Sequence, residues 1–244
     1  MNIKRVIPNI FTLFNAGLGI AALYYIFSGN LLFSSFLVLS AGGFDGMDGF
    51  FARRLNTFSK YGPLYDSISD SISFVIAPSM MVMVFFSGYT LYSSVKFYIS
   101  FLLAALVFAA GIARLTKFTV KSSSLPYFEG VPTPFVAITI ITAIFISHFV
   151  EYYEYYWFIE ILIGYIAIAM ILPIKYPKAK SSKASFFLGL IIGVSIVIAI
   201  VLKLLSPFIS YSMVPLEIAF SFFSMACIFG YLFMPCYIKI NHKN

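Results

Sequence analysis

Four aspartates, Asp45, Asp48, Asp66 and Asp70, are the only aspartates in the 244 residues, and all fall between positions 45 and 70. The five glutamates are scattered at Glu129, Glu151, Glu154, Glu160 and Glu217. On a helix, Asp45, Asp48 and Ala52 share one face at i, i+3 and i+7, and Asp66 and Asp70 share one at i, i+4. The segment from Arg54 to Tyr61 is a short connection, so the two helices are expected to form an antiparallel hairpin with all four carboxylates converging near one end. Four unpaired anions in that space repel strongly, and Arg53 and Arg54 cannot neutralise them all. Divalent cations can. Carboxylate oxygens suit hard ions such as Mg²⁺, Mn²⁺ or Ca²⁺, and four on a rigid pair of helices suit two ions roughly 4 Å apart. Gly46, Gly49 and Gly62 let a bulky anion approach the backbone closely. The pattern describes a metal-bridged pyrophosphate site. It competes with an intramembrane ion-pair network and with a proton or cation path through a transporter, since carboxylates inside a membrane are functional by default.

The elements that must position these groups are membrane helices. The chain is 61% hydrophobic and 19% aromatic, with 10% charged residues, where a soluble domain carries about a quarter. Soluble, disulfide-rich secreted and disordered classes are excluded. A spanning helix needs roughly 20 apolar residues, which gives eight spans near 8–28, 31–53, 63–88, 95–116, 133–150, 155–174, 186–205 and 207–237. The long runs and absent ten-residue alternation exclude a membrane barrel. The first run, after Lys4 and Arg5, is too long for a signal peptide and carries Asn9, Thr12 and Asn15.

With eight spans both termini share a side, and that side collects 14 of the 16 basic residues, leaving Lys96 and Lys203 opposite. The positive-inside rule makes it cytoplasmic. The net charge of +7 then serves topology and attraction to anionic lipid headgroups, with no nucleic-acid partner needed. Cys227 and Cys236 lie on one apolar run at a spacing that suits neither a disulfide nor a zinc site. His148 and His242 are isolated from the aspartates. No internal repeat divides residues 1–244, which read as one transmembrane domain with a signature hairpin at 42–88.

These residues match the signature D-x2-D-G-x2-A-R-x8-G-x3-D-x3-D of the CDP-alcohol phosphotransferase family, which the chain therefore resembles. Asp45, Asp48, Gly49, Ala52, Arg53, Gly62, Asp66 and Asp70 fill every fixed position. The resemblance implies an all-α integral membrane enzyme with a six-helix core, here with two extra helices, often homodimeric. Such enzymes transfer a substituted phosphate from a CDP-linked donor to an alcohol and release CMP. By the same resemblance Asp45, Asp48 and Asp66 hold two divalent ions, Mg²⁺ or Mn²⁺ with Ca²⁺ as an alternative occupant. Asp70 lies near one ion and takes the proton of the attacking hydroxyl. Gly49, Ala52 and Arg53 border the CDP moiety with Asp48, and Gly62 allows close helix approach. Asn9 and Thr12 add a cytidine-facing wall, because Pro-Asn-x-x-Thr recurs at this place in the family; pairing with backbone carbonyls is the plainer role for that polar stripe.

Which alcohol is accepted depends on residues beyond the signature. The stretch from Tyr65 to Pro78 resembles the phosphatidylserine synthase branch, where L-D-S-L-A-D-x-x-S-F-G-x-A-P is common, as do Ala113-Arg114-Leu115 and Phe128 to Pro134. The resemblance covers about residues 5–135. Tyr65, Ser69 and Val75 depart from it where the acceptor pocket is expected, so glycerol 3-phosphate or an inositol phosphate stays open as the acceptor. For L-serine, Arg114 is the expected carboxylate partner, because a guanidinium binds it in a bidentate manner; Lys121, Ser67 and Ser73 are further candidates. The donor is expected to be CDP-diacylglycerol or CDP-archaeol, entering from the cytoplasmic leaflet. The rival from another class, a cation-coupled transporter, requires broken helices near the bilayer midplane.

Overall fold

The computed structural model describes residues 3–55, 62–88, 95–121, 127–149 and 156–177, with helical residues at 194–195, 197–198, 201–202, 219, 223–228, 230 and 232. The chain divides into two compact units, residues 1–123 and 124–244.

In the first unit the apolar runs form helices α1 (Ile3–Phe27), α2 (Leu31–Arg54), α3 (Gly62–Asp70), α4 (Ala77–Ser87) and α5 (Val95–Lys121). Gly29, at φ 85, turns the chain out of α1. The Asn30 side chain then caps α2 by accepting the Phe33 N–H at 3.0 Å. Between α3 and α4 the helix widens into a π turn, Ser71–Ile76, in which the Ala77 N–H bonds to the Ile72 carbonyl five residues back. Pro78 follows directly. Its ring lacks a donor and would crowd the carbonyl of Phe74 in a regular α-helix, so a wide turn at this place has a local cause.

Helix α1 is the hub of the unit, packing along α2 and also against α3, the π turn and α4, while α5 packs on α4 and the π turn. Phe11 stacks on Phe51 at 5.1 Å between ring centroids and meets Phe44 at 6.1 Å. These rings fix α1 beside the segment of α2 that carries the first two aspartates. On the outer faces, Leu13, Ile20, Tyr24 and Phe27 of α1 and Tyr98, Phe101 and Leu102 of α5 are exposed. Exposed apolar stripes of this kind suit hydrocarbon as solvent.

In the second unit β1 (Tyr127–Glu129) pairs antiparallel with β2 (Lys175–Pro177), aligning Phe128 with Tyr176. Helices α6 (Thr133–Phe149) and α7 (Tyr156–Ile171) pack together. Gly130 joins β1 to the start of α6 at φ 76, its N–H bonded to the Ile174 carbonyl at 2.8 Å. A Cβ at this position would collide with the carbonyl of Met170. Trp157, Ile161, Tyr165, Ile168 and Leu172 form an exposed stripe at helical spacing on and just beyond α7.

Among the described residues three helices are long and apolar enough to cross a membrane: Asn9–Phe27, Gly62–Ser87 and Val95–Thr119. Thr133–Ser147 and Trp157–Ile171 are shorter apolar helices. At 1.5 Å per residue the first alone covers about 28 Å, close to the hydrocarbon thickness of about 30 Å. The all-helical membrane class is borne out, with two qualifications. The β1–β2 pair lies where the sequence suggested plain connections, and the expected spans at 186–205 and 207–237 lie largely outside the described residues.

Candidate active site

Asp45 and Asp48 stand on α2 three residues apart, and Asp66 and Asp70 stand one turn apart on α3. One carboxylate oxygen from each of Asp45, Asp48 and Asp66 lies within 4.8 Å of the others. Asp70 lies beside Asp45 and Asp66 in the same cluster. Asp48 is buried and the other three are half-buried.

Helix α1 holds both sides of this cluster. Thr12 Oγ1 donates to Asp48 Oδ2 at 2.8 Å, and Asn15 Nδ2 donates to Asp70 Oδ1 at 3.2 Å. In return, Ser69 Oγ donates to the Thr12 carbonyl at 2.9 Å and Ser73 Oγ to the Asn15 carbonyl at 2.9 Å. Side-chain hydrogen bonds to charged groups contribute about 1.5–3 kcal/mol each. The first helix thus orients one carboxylate from α2 and one from α3.

The donor set fits hard divalent cations. All ligands offered are carboxylate oxygens. Asp66 Oδ1 is buried with no hydrogen-bond partner, an acceptor that a cation would satisfy. Two unit charges 4.8 Å apart repel by about 3 kcal/mol at an effective dielectric of 20, so a cluster of this kind calls for a counter-cation. Gly43 and Gly46 face open space, where an added Cβ would meet nothing within 4 Å. That leaves α2 approachable beside Asp45.

The other residues singled out in the sequence are distributed as follows. Gly49 and Ala52 are half-buried on α2, Gly62 begins α3, and Asn9 is exposed on α1. The side chains of Arg53 and Lys121 lie outside the described residues. Arg114 is 7% exposed on α5, its guanidinium 5.3 Å from the Phe118 ring centroid. Ser67 donates to its own helix at Pro63 O (2.9 Å) and meets Thr119 Oγ1 at 2.7 Å, linking α3 to α5. Ser73 is fully buried with its proton on Asn15. Sequence reasoning found the polar stripe on the first helix but not its partners. The signal was present in the spacing of Thr12 and Asn15, yet nothing local pairs them with Asp48 and Asp70.

The sequence profile of the CDP-alcohol phosphatidyltransferase family matches residues 5–174, a span containing the whole cluster. The chain belongs to that family. As a CDP-alcohol phosphatidyltransferase it is an enzyme of the transferase class, and the transporter alternative has no support. Among curated relatives, the CDP-diacylglycerol–serine O-phosphatidyltransferase of Helicobacter pylori is 30% identical over 237 residues, covering 94% of this chain and 97% of the relative. The archaetidylserine synthase of Methanothermobacter thermautotrophicus is 31% identical over 198 residues, or 76% of this chain and 77% of the relative. A CDP-diacylglycerol–glycerol-3-phosphate 3-phosphatidyltransferase of Aquifex aeolicus is 36% identical over only 66 residues, 27% of this chain. This phosphatidyltransferase thus resembles serine-named relatives along most of its length and a glycerol-phosphate relative over about a quarter.

Proposed function

We propose that the protein is a membrane phosphatidyltransferase that moves the phosphatidyl group of CDP-diacylglycerol, or the archaetidyl group of CDP-archaeol, to the hydroxyl of L-serine and releases CMP. The observation that carries the acceptor is the near full-length likeness to the Helicobacter pylori serine enzyme. The carboxylate cluster supports the chemistry.

Asp45, Asp48 and Asp66, with Asp70 next to them, would hold two divalent ions, Mg²⁺ or Mn²⁺ by type. When bound, such ions withdraw charge from the pyrophosphate and stabilise the departing CMP. Asp70 accepts the proton of the serine hydroxyl. The freed oxygen attacks the lipid-side phosphorus, a new P–O bond forms, and the bond to CMP breaks. Gly49, Ala52, Arg53 and Gly62 border the CDP moiety together with Asp48, and Asn9 and Thr12 stand on its first-helix side. Arg114 offers a guanidinium to the serine carboxylate, with Ser67, Ser73 and Lys121 as secondary contacts. The Ser73 proton is already given to Asn15, which favours Ser67 among the hydroxyls.

Both termini and the site face the cytoplasm in this account, supported by the basic residues that flank the spans. The lipid tails stay in the inner leaflet while the headgroup reaches the aspartates, which stand near helix ends. The whole chain acts as one transmembrane domain and pairs as a homodimer. The test is serine-dependent CMP release by the purified protein with CDP-diacylglycerol and Mn²⁺. Absence of release with serine, under conditions where the protein is folded and metal-loaded, would refute the assignment.

A further inference from the structure

The base assigned to Asp70 sits at the last residue of α3, immediately before the π turn Ser71–Ile76. A π turn inserts extra backbone into a helix and is common at functional sites. It also re-aims everything before it relative to everything after it, so its position must be fixed if Asp70 is to point reproducibly. Three contacts from the first helix meet this segment. Asn15 Nδ2 donates to Asp70 Oδ1 at 3.2 Å, and Ser73 Oγ donates to the Asn15 carbonyl at 2.9 Å. One helical turn further along the same face, Gly19 receives the turn itself. A Cβ there would collide with Ser73 Oγ and come within 2.9 Å of Ile72 Cγ2 and 3.1 Å of Ser73 Cα. The last of these is backbone and cannot rotate away. From the opposite helix, Gly111 of α5 receives Val75 in the same way, with a Cβ meeting Val75 Cγ1 at 2.5 Å. The turn is keyed into two glycine notches.

Asn15 is fully buried, and its Oδ1 has no hydrogen-bond partner. A carboxylate accepts only, so the amide must present its nitrogen to Asp70. The molecule therefore keeps a buried amide with one acceptor unsatisfied in order to place a donor on this carboxylate.

We propose that Asn15 and Gly19 act as a latch that seats the π turn and aims the Asp70 carboxylate, making them positioning residues for the transfer step. This rests on Asp70 being the base. Neither residue is assigned a contact with donor lipid or acceptor, so breaking the latch should slow turnover while leaving substrate binding intact. The experiment uses the full-length protein in detergent micelles and compares Asn15→Ala, Gly19→Ala and Asp70→Asn. Each variant is measured for kcat, for KM of CDP-diacylglycerol and of serine, and for its thermal unfolding midpoint. The expected result is a fall in kcat of about 10- to 100-fold for Asn15→Ala, the range typical of misplaced or unsupported catalytic groups. Both KM values should stay within about twofold, by the same separation of positioning from binding. Gly19→Ala should show the same pattern; if it fails to fold, Asn15→Ala alone decides. A wild-type kcat in Asn15→Ala, a loss confined to KM, or a loss matching the unfolded fraction would overturn the latch. Near-normal turnover in Asp70→Asn would instead overturn the base on which it rests.

Discussion

Thr12 on the first helix and Asp48 on the second, 36 residues apart in sequence, are joined by a hydrogen bond of 2.8 Å from hydroxyl to carboxylate. Asp48 is 8% exposed, so this bond orients the carboxylate largely out of reach of solvent. The same Thr12 accepts Ser69 Oγ on its carbonyl, which makes one residue a junction of three helices.

Thr12→Val keeps the shape and removes the donor. Removing a group that supports a metal ligand typically lowers metal affinity about 10- to 100-fold. Mn²⁺ titration followed by electron paramagnetic resonance, without CDP-lipid present, should show that loss. An unchanged affinity would mean that Asp48 is held by other contacts.

Chelation should abolish transfer, and added Mn²⁺ or Mg²⁺ should restore it in the unmodified protein. Asp66→Asn removes the carboxylate whose Oδ1 is buried and unpartnered, and with it one charge of the ligand set. Turnover should drop by at least about a thousandfold, as expected when electrostatic stabilisation of a leaving group is lost. Excess Mn²⁺ should not recover the rate. Recovery at high Mn²⁺ would place Asp66 outside the essential ligand set.

Arg114 should separate acceptor from donor. Arg114→Ala should raise the serine KM about tenfold or more, as for loss of a charge-assisted pair, with the KM for CDP-diacylglycerol unchanged. Arg114→Lys should not restore it, because a point charge lacks the planar fork. An unchanged serine KM would remove Arg114 from the pocket and leave it a structural cation stacked on Phe118.

Two glycines predict different stability costs from the same backbone class. Gly88 ends α4 at φ 56 with open space where a Cβ would go, whereas Gly130 at φ 76 has the Met170 carbonyl there. Gly88→Ala should cost about 1–2 kcal/mol, the conformational penalty alone. Gly130→Ala should cost more, with lower folding yield and a lower unfolding midpoint. Equal midpoints would show that the Met170 backbone yields without cost.

The carboxylate ladder was legible because its logic is local: Asp45, Asp48, Asp66 and Asp70 sit at helical spacings within one short stretch. Helix existence was legible for the same reason: the first six expected spans each overlap described helical segments, with ends that differ by up to five residues, the third covering α3, the π turn and α4. The Thr12–Asp48 and Asn15–Asp70 bonds were not, because they depend on which helix α1 packs against, and nothing in a single apolar run encodes its neighbour. The π turn has a signal in Pro78, while Ser71–Ile76 itself scans as ordinary apolar helix. The β1–β2 pair went unseen because Phe128 and Tyr176, partners in register, are brought together across two intervening helices.

The most direct measurement of the central claim is an acceptor panel with the product lipid identified. Purified protein, CDP-diacylglycerol and Mn²⁺ are incubated separately with L-serine, glycerol 3-phosphate, inositol and inositol phosphate, and lipids and CMP are quantified by mass spectrometry. The predicted result is phosphatidylserine and CMP in equal amounts with serine, and no lipid product with the other three. Formation of phosphatidylglycerophosphate or an inositol lipid in place of phosphatidylserine would contradict the account.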